Sequence, residues 1–210
     1  MDDYIKTLMP ERTGILLRME TAARANHIPI IDPEVTALLE VLIKTAHIKS
    51  ILEVGTAIGY SSLLFCMAAG PDSRIITIER NLQHVATARG YISEAGLTDN
   101  IKVMPGDALE VLPNLTEPVD MVFLDGAKGH YLEMMELCLP LLKPGGLLIS
   151  DNILFHGMVS GEEKVPHRRK TIVTRMRDYL DTITTHPQLK TSILTISDGL
   201  AVSCKLEESK

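Results

Sequence analysis

The sequence contains no tryptophan, three phenylalanines, five tyrosines and three cysteines in 210 residues. Cys66, Cys138 and Cys204 are odd in number, far apart and form no Cys-x-x-Cys pair, so they read as reduced core thiols. No apolar run approaches the ~18–20 residues that a membrane crossing needs. The start, Met1-Asp2-Asp3-Tyr4, lacks the basic-then-apolar pattern of a signal peptide, and a cytoplasmic location is expected. There is no excess of positive charge. A net charge of −6 argues against indiscriminate nucleic-acid binding, although a local basic patch can override a global balance. Repeats, linkers and low-complexity segments are also missing. What is there, 45% hydrophobic and 23% charged residues, describes an ordinary globule. The length predicts one domain over 1–210, with residues 1–30 as an N-terminal helical extension.

Apolar positions then alternate between two periods. Helical spacing predicts an amphipathic helix over Pro10–Asn26 and a second from Pro33 to about His47, capped by Asp32. Short apolar runs predict strands at Ile51–Val54, Arg74–Ile78, Ile101–Met104, Val119–Leu124 and Leu147–Ser150, with helices between them. A helix over His167–Thr184 is expected to bury Ile172, Met176, Tyr179, Leu180 and Ile183. Thr191–Ile196 and Leu200–Lys205 flank Asp198-Gly199, a strong hairpin signal. The order predicts an α/β fold, a doubly wound, mostly parallel seven-stranded sheet whose last strand is antiparallel.

Two strand ends carry the densest chemistry. Asp125 is released after Val119–Leu124, Lys128 follows three residues on, and Leu147–Ser150 ends in Asp151-Asn152. Ligands of open α/β sheets bind beyond the carboxyl ends of the strands. Either site alone reads as a turn former or N-cap. Together, with Lys128 between them, they point to a Mg²⁺-type cation held by hard oxygens. Lys128 fits a general base, or else a salt bridge to Asp125. Phe155–Pro166 is a polar loop directly after Asn152, placed either to gate the site or to connect over the surface.

A second set surrounds the turn Gly55-Thr56-Ala57-Ile58-Gly59, with Glu53 before it and Glu79 ending the next strand. An acid about 20 residues beyond such a turn holds ribose hydroxyls. The turn is not Gly-x-Gly-x-x-Gly, and Glu53 places negative charge near the cradle. That suits a cationic sulfonium better than a pyrophosphate, and disfavours an NAD-dependent oxidoreductase, the alternative on the same kind of sheet. Asp107 has two readings, an acceptor for an adenine amino group or a cap.

The segment Glu53-Val54-Gly55-Thr56-Ala57-Ile58-Gly59-Tyr60-Ser61 resembles the S-adenosylmethionine motif of class I methyltransferases. Asp125-Gly126-Ala127-Lys128 with Tyr131, then Asp151-Asn152 and Ser197-Asp198-Gly199-Leu200-Ala201-Val202, resemble the cation-dependent O-methyltransferases of caffeoyl-CoA and catechol type. The resemblance runs from about Ile31 to Lys205. It implies that Asp125, Asp151 and Asn152 hold Mg²⁺ or another divalent cation and that Lys128 is the base. Gly55 and Ser61 would cradle the methionine moiety, Glu79 the ribose, and Asp107 with Ala108 the adenine. Glu53 and Asp125 join this cofactor set, and Ile31 closes over it. Tyr131 would lie on the substrate side, and a homodimer is expected. Two features depart from the plant enzymes: Gly129-His130 precede Tyr131, and aromatics are only 4%. The second weighs against a small-phenol acceptor.

Between Lys164 and Arg177 lie six basic residues, Lys164, Arg168, Arg169, Lys170, Arg175 and Arg177, and no acidic ones. Such a face is most often simply solvated. Here it starts beside the loop expected to overhang the metal, and Pro166-His167-Arg168-Arg169-Lys170-Thr171 resembles the bacterial branch that methylates 5-hydroxyuridine in the tRNA anticodon. The expected acceptor is therefore tRNA wobble 5-hydroxyuridine, contacted by Arg168, Arg169 and Lys170, with a small catechol-like or acyl-CoA phenol as the alternative.

Overall fold

The computed structural model describes Tyr4, residues 7–9 and residues 11–207. Pro10, the expected start of the first helix, lies outside them. The chain forms two compact units, residues 1–107 and 108–210.

The first unit contains α1 (Gly14–Ala25), α2 (Pro33–Thr45), β1 (Ser50–Val54), α3 (Tyr60–Ala69), β2 (Arg74–Glu79), α4 (Leu82–Glu94) and β3 (Ile101–Pro105). Its strands are parallel, with Val54 opposite Ile78 and Glu79 opposite Pro105. Parallel strands covered on both faces read as near-continuous apolar runs, which is why Ile51 to Val54 are all buried. α3 is buried almost all round, from Tyr60 through Cys66, as expected of a helix with little polar face. α4 begins where Asn81 accepts the Gln83 amide at 2.9 Å. Asp32 occupies the cap position of α2, but its side chain makes no capping hydrogen bond.

The second unit contains α5 (Ala108–Val111), β4 (Val119–Leu124), α6 (Tyr131–Cys138), β5 (Leu142–Asp151), α7 (Lys170–Thr185), β6 (Leu189–Leu194) and β7 (Leu200–Lys205). β4 and β5 are parallel with Leu124 opposite Ser150, so their next residues are Asp125 and Asp151. β7 is antiparallel to both β5 and β6. The seven strands follow the order β3-β2-β1-β4-β5-β7-β6. This is the doubly wound α/β sheet with an antiparallel last strand that the sequence predicts.

Two local expectations are corrected. β5 begins at Leu142, not Leu147, because Leu142 pairs with Val119 before the register shifts, and the helix before it ends at Cys138. His167–Arg169 form a 3-10 turn and the α-helix starts only at Lys170. Its buried face is Val173, Met176, Tyr179 and Ile183, a clean i, i+3, i+4 stripe, while Ile172 and Leu180 sit at its edge. Among the described residues, no helix is long and apolar enough to cross a membrane.

Candidate functional site

In the first unit, the turn after β1 is fixed from both sides. The amides of Gly55 and Thr56 donate to the carbonyl of Ile78 at 3.0 and 3.3 Å. Gly55 and Gly59 have φ of 107° and 88°, and Ala57 is also left-handed. At Gly59 a Cβ would lie 3.1 Å from that of Ala88, so glycine also lets α4 pack against the turn. Glu79 braces this turn: one carboxylate oxygen accepts the Ala57 amide at 2.9 Å and the other the Asn81 amide at 2.8 Å. Each oxygen keeps a lone pair for a further donor such as a hydroxyl.

Glu53 is wholly buried beneath the turn. The hydroxyls of Ser61 and Ser62 each donate to one of its oxygens. Burial pushes its carboxyl above the ordinary range, opposed by the hydroxyls of Ser61, Ser62 and Thr77. Ser61 has therefore spent its hydrogen on Glu53 and presents lone pairs only, suited to a cationic partner. Ile31 is buried between α1 and α2, and Asp107 is exposed at the end of this unit. Ser62 and Thr77 escaped sequence reasoning, since nothing in the residue order says which hydroxyls will face a buried acid.

In the second unit, Asp125 follows β4 and Asp151 ends β5, the latter 2% exposed with one oxygen accepting the Asn152 amide at 2.7 Å. Ala127 and Asn152 are left-handed, which turns the chain sharply at both strand ends. Lys128 opens a 3-10 turn and donates to the side-chain oxygen of Asn152. Burial pushes the Lys128 ammonium below the usual lysine value, while the charges of Asp125, Asp151 and Asp198 hold it up. Tyr131, expected on the substrate side, is instead 1% exposed, its hydroxyl 3.0 Å from the carbonyls of both Leu124 and Asp151. It braces the two strand ends from below. Ala108 is buried at the start of α5.

Two carboxylates and an amide oxygen on adjoining strand ends suit a hard, oxygen-seeking cation. Among the described residues, no group of three His, Cys, Asp or Glu side chains could hold a metal. The expected set escapes that pattern because its third donor is an amide. The ammonium on Asn152 shows that this oxygen already attracts positive charge. The donors present fit the ion. Asp198, whose charge acts on Lys128, is not among the expected site residues because Asp-Gly in a hairpin reads simply as a turn former.

The basic cluster divides. Arg177 donates to the carbonyl of Val159 at 3.0 Å and Arg175 to that of Gly129 at 3.0 Å, so both tie loops to α7. Arg169 lies over the Phe155 ring at 5.3 Å. Arg168, Lys170 and Lys164 are exposed. The loop after Asn152 is anchored through buried Ile153, Met158 and Val159.

A model of an O-methyltransferase family matches residues 11–206. The chain belongs to that family. A catechol O-methyltransferase of Niastella koreensis is 34% identical over 168 residues, covering 77% of this chain and 76% of its own. A Staphylococcus aureus structure of the caffeoyl-CoA O-methyltransferase type superposes with a TM-score of 0.89 at 34% identity, covering 97% and 98% of the two chains. The O-methyltransferase TomG of Streptomyces achromogenes, solved with its cofactor SAM, gives 0.86 at 26% identity over 98% and 96%. As a member of the family the chain is an S-adenosylmethionine-dependent O-methyltransferase of the catechol and caffeoyl-CoA type.

Proposed function

We propose that this enzyme methylates a hydroxyl that has a second oxygen beside it, using S-adenosylmethionine and a divalent cation. The observation that carries the reading is the join of Asp125, Lys128, Asp151 and Asn152 at two adjoining strand ends. When bound, the cofactor supplies an electrophilic methyl group. Asp125, Asp151 and Asn152 would hold the cation, which would make a neighbouring hydroxyl more acidic.

The residues then divide the work. Gly55, Ser61 and the buried carboxyl of Glu53 favour the cationic end of the cofactor, Glu79 receives ribose hydroxyls, and Ile31, Asp107, Ala108 and Asp125 complete the binding set. Lys128 takes the proton from the acceptor hydroxyl at Nζ, an act that its burial favours. Holding oxygen and methyl at near-attack distance supplies the rest.

For the acceptor we infer tRNA wobble 5-hydroxyuridine, giving 5-methoxyuridine. Its hydroxyl and the neighbouring O4 carbonyl offer the chelating pair, and the exposed Lys164, Arg168 and Lys170 support contact with a phosphate backbone. The Niastella relative favours a second reading, a small catechol. Labelled cofactor, purified enzyme, hypomodified tRNA and a small catechol separate the two. Label in tRNA with weak transfer to catechol supports the first reading; transfer to catechol alone supports the second. Exposed Leu17 and Val41 on α1 and α2 support a homodimer, which sedimentation velocity tests.

A further inference from the structure

Three of the five residues from Asn152 to His156 have a left-handed backbone: Asn152 at φ 53°, Phe155 at 48° and His156 at 57°. That conformation is unfavourable for side chains with a Cβ, most of all for a bulky one such as Phe155, and persists only where surroundings enforce it. The surroundings here are the turn between β6 and β7. The Ile153 amide donates to the carbonyl of Gly199 at 3.1 Å and the Leu154 amide to that of Asp198 at 2.9 Å. One carboxylate oxygen of Asp198 accepts the His156 amide at 2.6 Å. Gly199 sits flush against the segment, since a Cβ there would lie 2.9 Å from Cγ1 of Ile153.

A β-hairpin needs none of this. An Asp-Gly turn closes on its own backbone, yet here the Asp198 side chain crosses to a different loop, the one that starts at Asn152. Its other oxygen is buried with no hydrogen-bond partner among the described residues, 3.7 Å from Nδ1 of His156.

We propose that Asp198 is a positioning residue of the metal site: by holding the His156 amide it fixes residues 153–156, and with them the turn that aims the Asn152 oxygen. The inference rests on Asp125, Asp151 and Asn152 being the metal ligands. Groups that orient metal ligands from behind typically matter about 10–100-fold for metal affinity.

Asp198→Asn keeps an acceptor oxygen for the His156 amide and removes the charge, whereas Asp198→Ala removes the acceptor. Mn²⁺ binding to the full chain, read from the electron paramagnetic resonance of the free ion, compares them with the wild type. Asp198→Ala is expected to bind Mn²⁺ about ten-fold more weakly, Asp198→Asn to recover most of that loss, and S-adenosylmethionine affinity to stay unchanged in both. Hydrogen exchange of the wild type supplies a reading that needs no variant: the His156 and Leu154 amides should exchange slowly without metal. Wild-type Mn²⁺ affinity in a folded Asp198→Ala, fast exchange at His156, or Asp198→Asn as weak as Asp198→Ala would each overturn the positioning role while leaving the metal ligands standing. Absence of Mn²⁺ binding by the wild type would overturn both.

Discussion

Lys128 donates a hydrogen bond from its ammonium to the side-chain oxygen of Asn152. That oxygen belongs to the proposed cation set, so ammonium and cation compete for it. Burial lowers the Lys128 pKa, and Asp125, Asp151 and Asp198 raise it. A cation that draws on the same acids weakens the opposing pull and leaves burial to favour the neutral amine. Lys128→Ala is expected to lower kcat by about 10²–10⁴-fold with the KM for cofactor unchanged. Lys128→Arg should be as slow, because a guanidinium keeps its proton. Initial-rate kinetics decide this; a variant that loses only cofactor affinity would end the base assignment.

Asp151→Ala should abolish both turnover and Mn²⁺ binding. Asp151 is almost fully buried and ends β5, so its loss removes a carboxylate that the fold fixes at the strand end. Circular dichroism and cofactor binding check that the variant is folded. A folded Asp151→Ala with wild-type turnover would remove the carboxylate from the mechanism.

Glu53 predicts a pH dependence of stability. Its carboxyl is raised by burial, and a raised folded-state pKa gives stability that is complete below the unfolded value of about 4.3 and is lost as pH rises through the folded value. At neutral pH the burial of this acid therefore costs stability. Glu53→Gln should melt higher than the wild type near pH 7, with the gain fading toward pH ~4, and should bind S-adenosylmethionine more weakly. Thermal melts across pH test the first part and calorimetry the second. A variant that melts lower at every pH would contradict the burial cost.

Much of this site is readable in the residue order, and the readable part has a common cause. Asp125 and Asp151-Asn152 announce themselves because each follows an apolar run that only a buried strand explains, and parallel pairing brings such ends together. Glu53, Gly55, Gly59 and Glu79 are legible for the same reason. What the order hides is the use of polar hydrogens. Nothing in the spacing says that Ser61 and Ser62 will share Glu53, or that Tyr131 will turn its hydroxyl inward beneath the strand ends. The 3-10 turn at His167–Arg169 shifts the helix start, and Val173 rather than Ile172 lies in the core. It also takes Arg168 off the helix face on which periodicity would place it.

The basic cluster gives a salt-dependent prediction. Arg175 and Arg177 hold backbone carbonyls, so phosphate contact falls to the exposed residues around Arg168 and Lys170. Replacing both by Ala should cut turnover on hypomodified tRNA while sparing a small catechol. For single strands each phosphate contributes about −0.7 to the log–log salt slope, so the double variant should flatten it by about 1.4. Rates measured across KCl concentrations supply the slope. Equal losses on tRNA and catechol would assign these residues to the fold instead.

The most direct test of cation-dependent methyl transfer is turnover of the wild-type enzyme after exhaustive EDTA treatment and again after Mg²⁺ is returned. With Asp125, Asp151 and Asn152 as ligands, transfer of the labelled methyl group should stop with the chelator and recover with Mg²⁺, while S-adenosylmethionine still binds the stripped protein. Full turnover in the presence of excess EDTA would contradict the account.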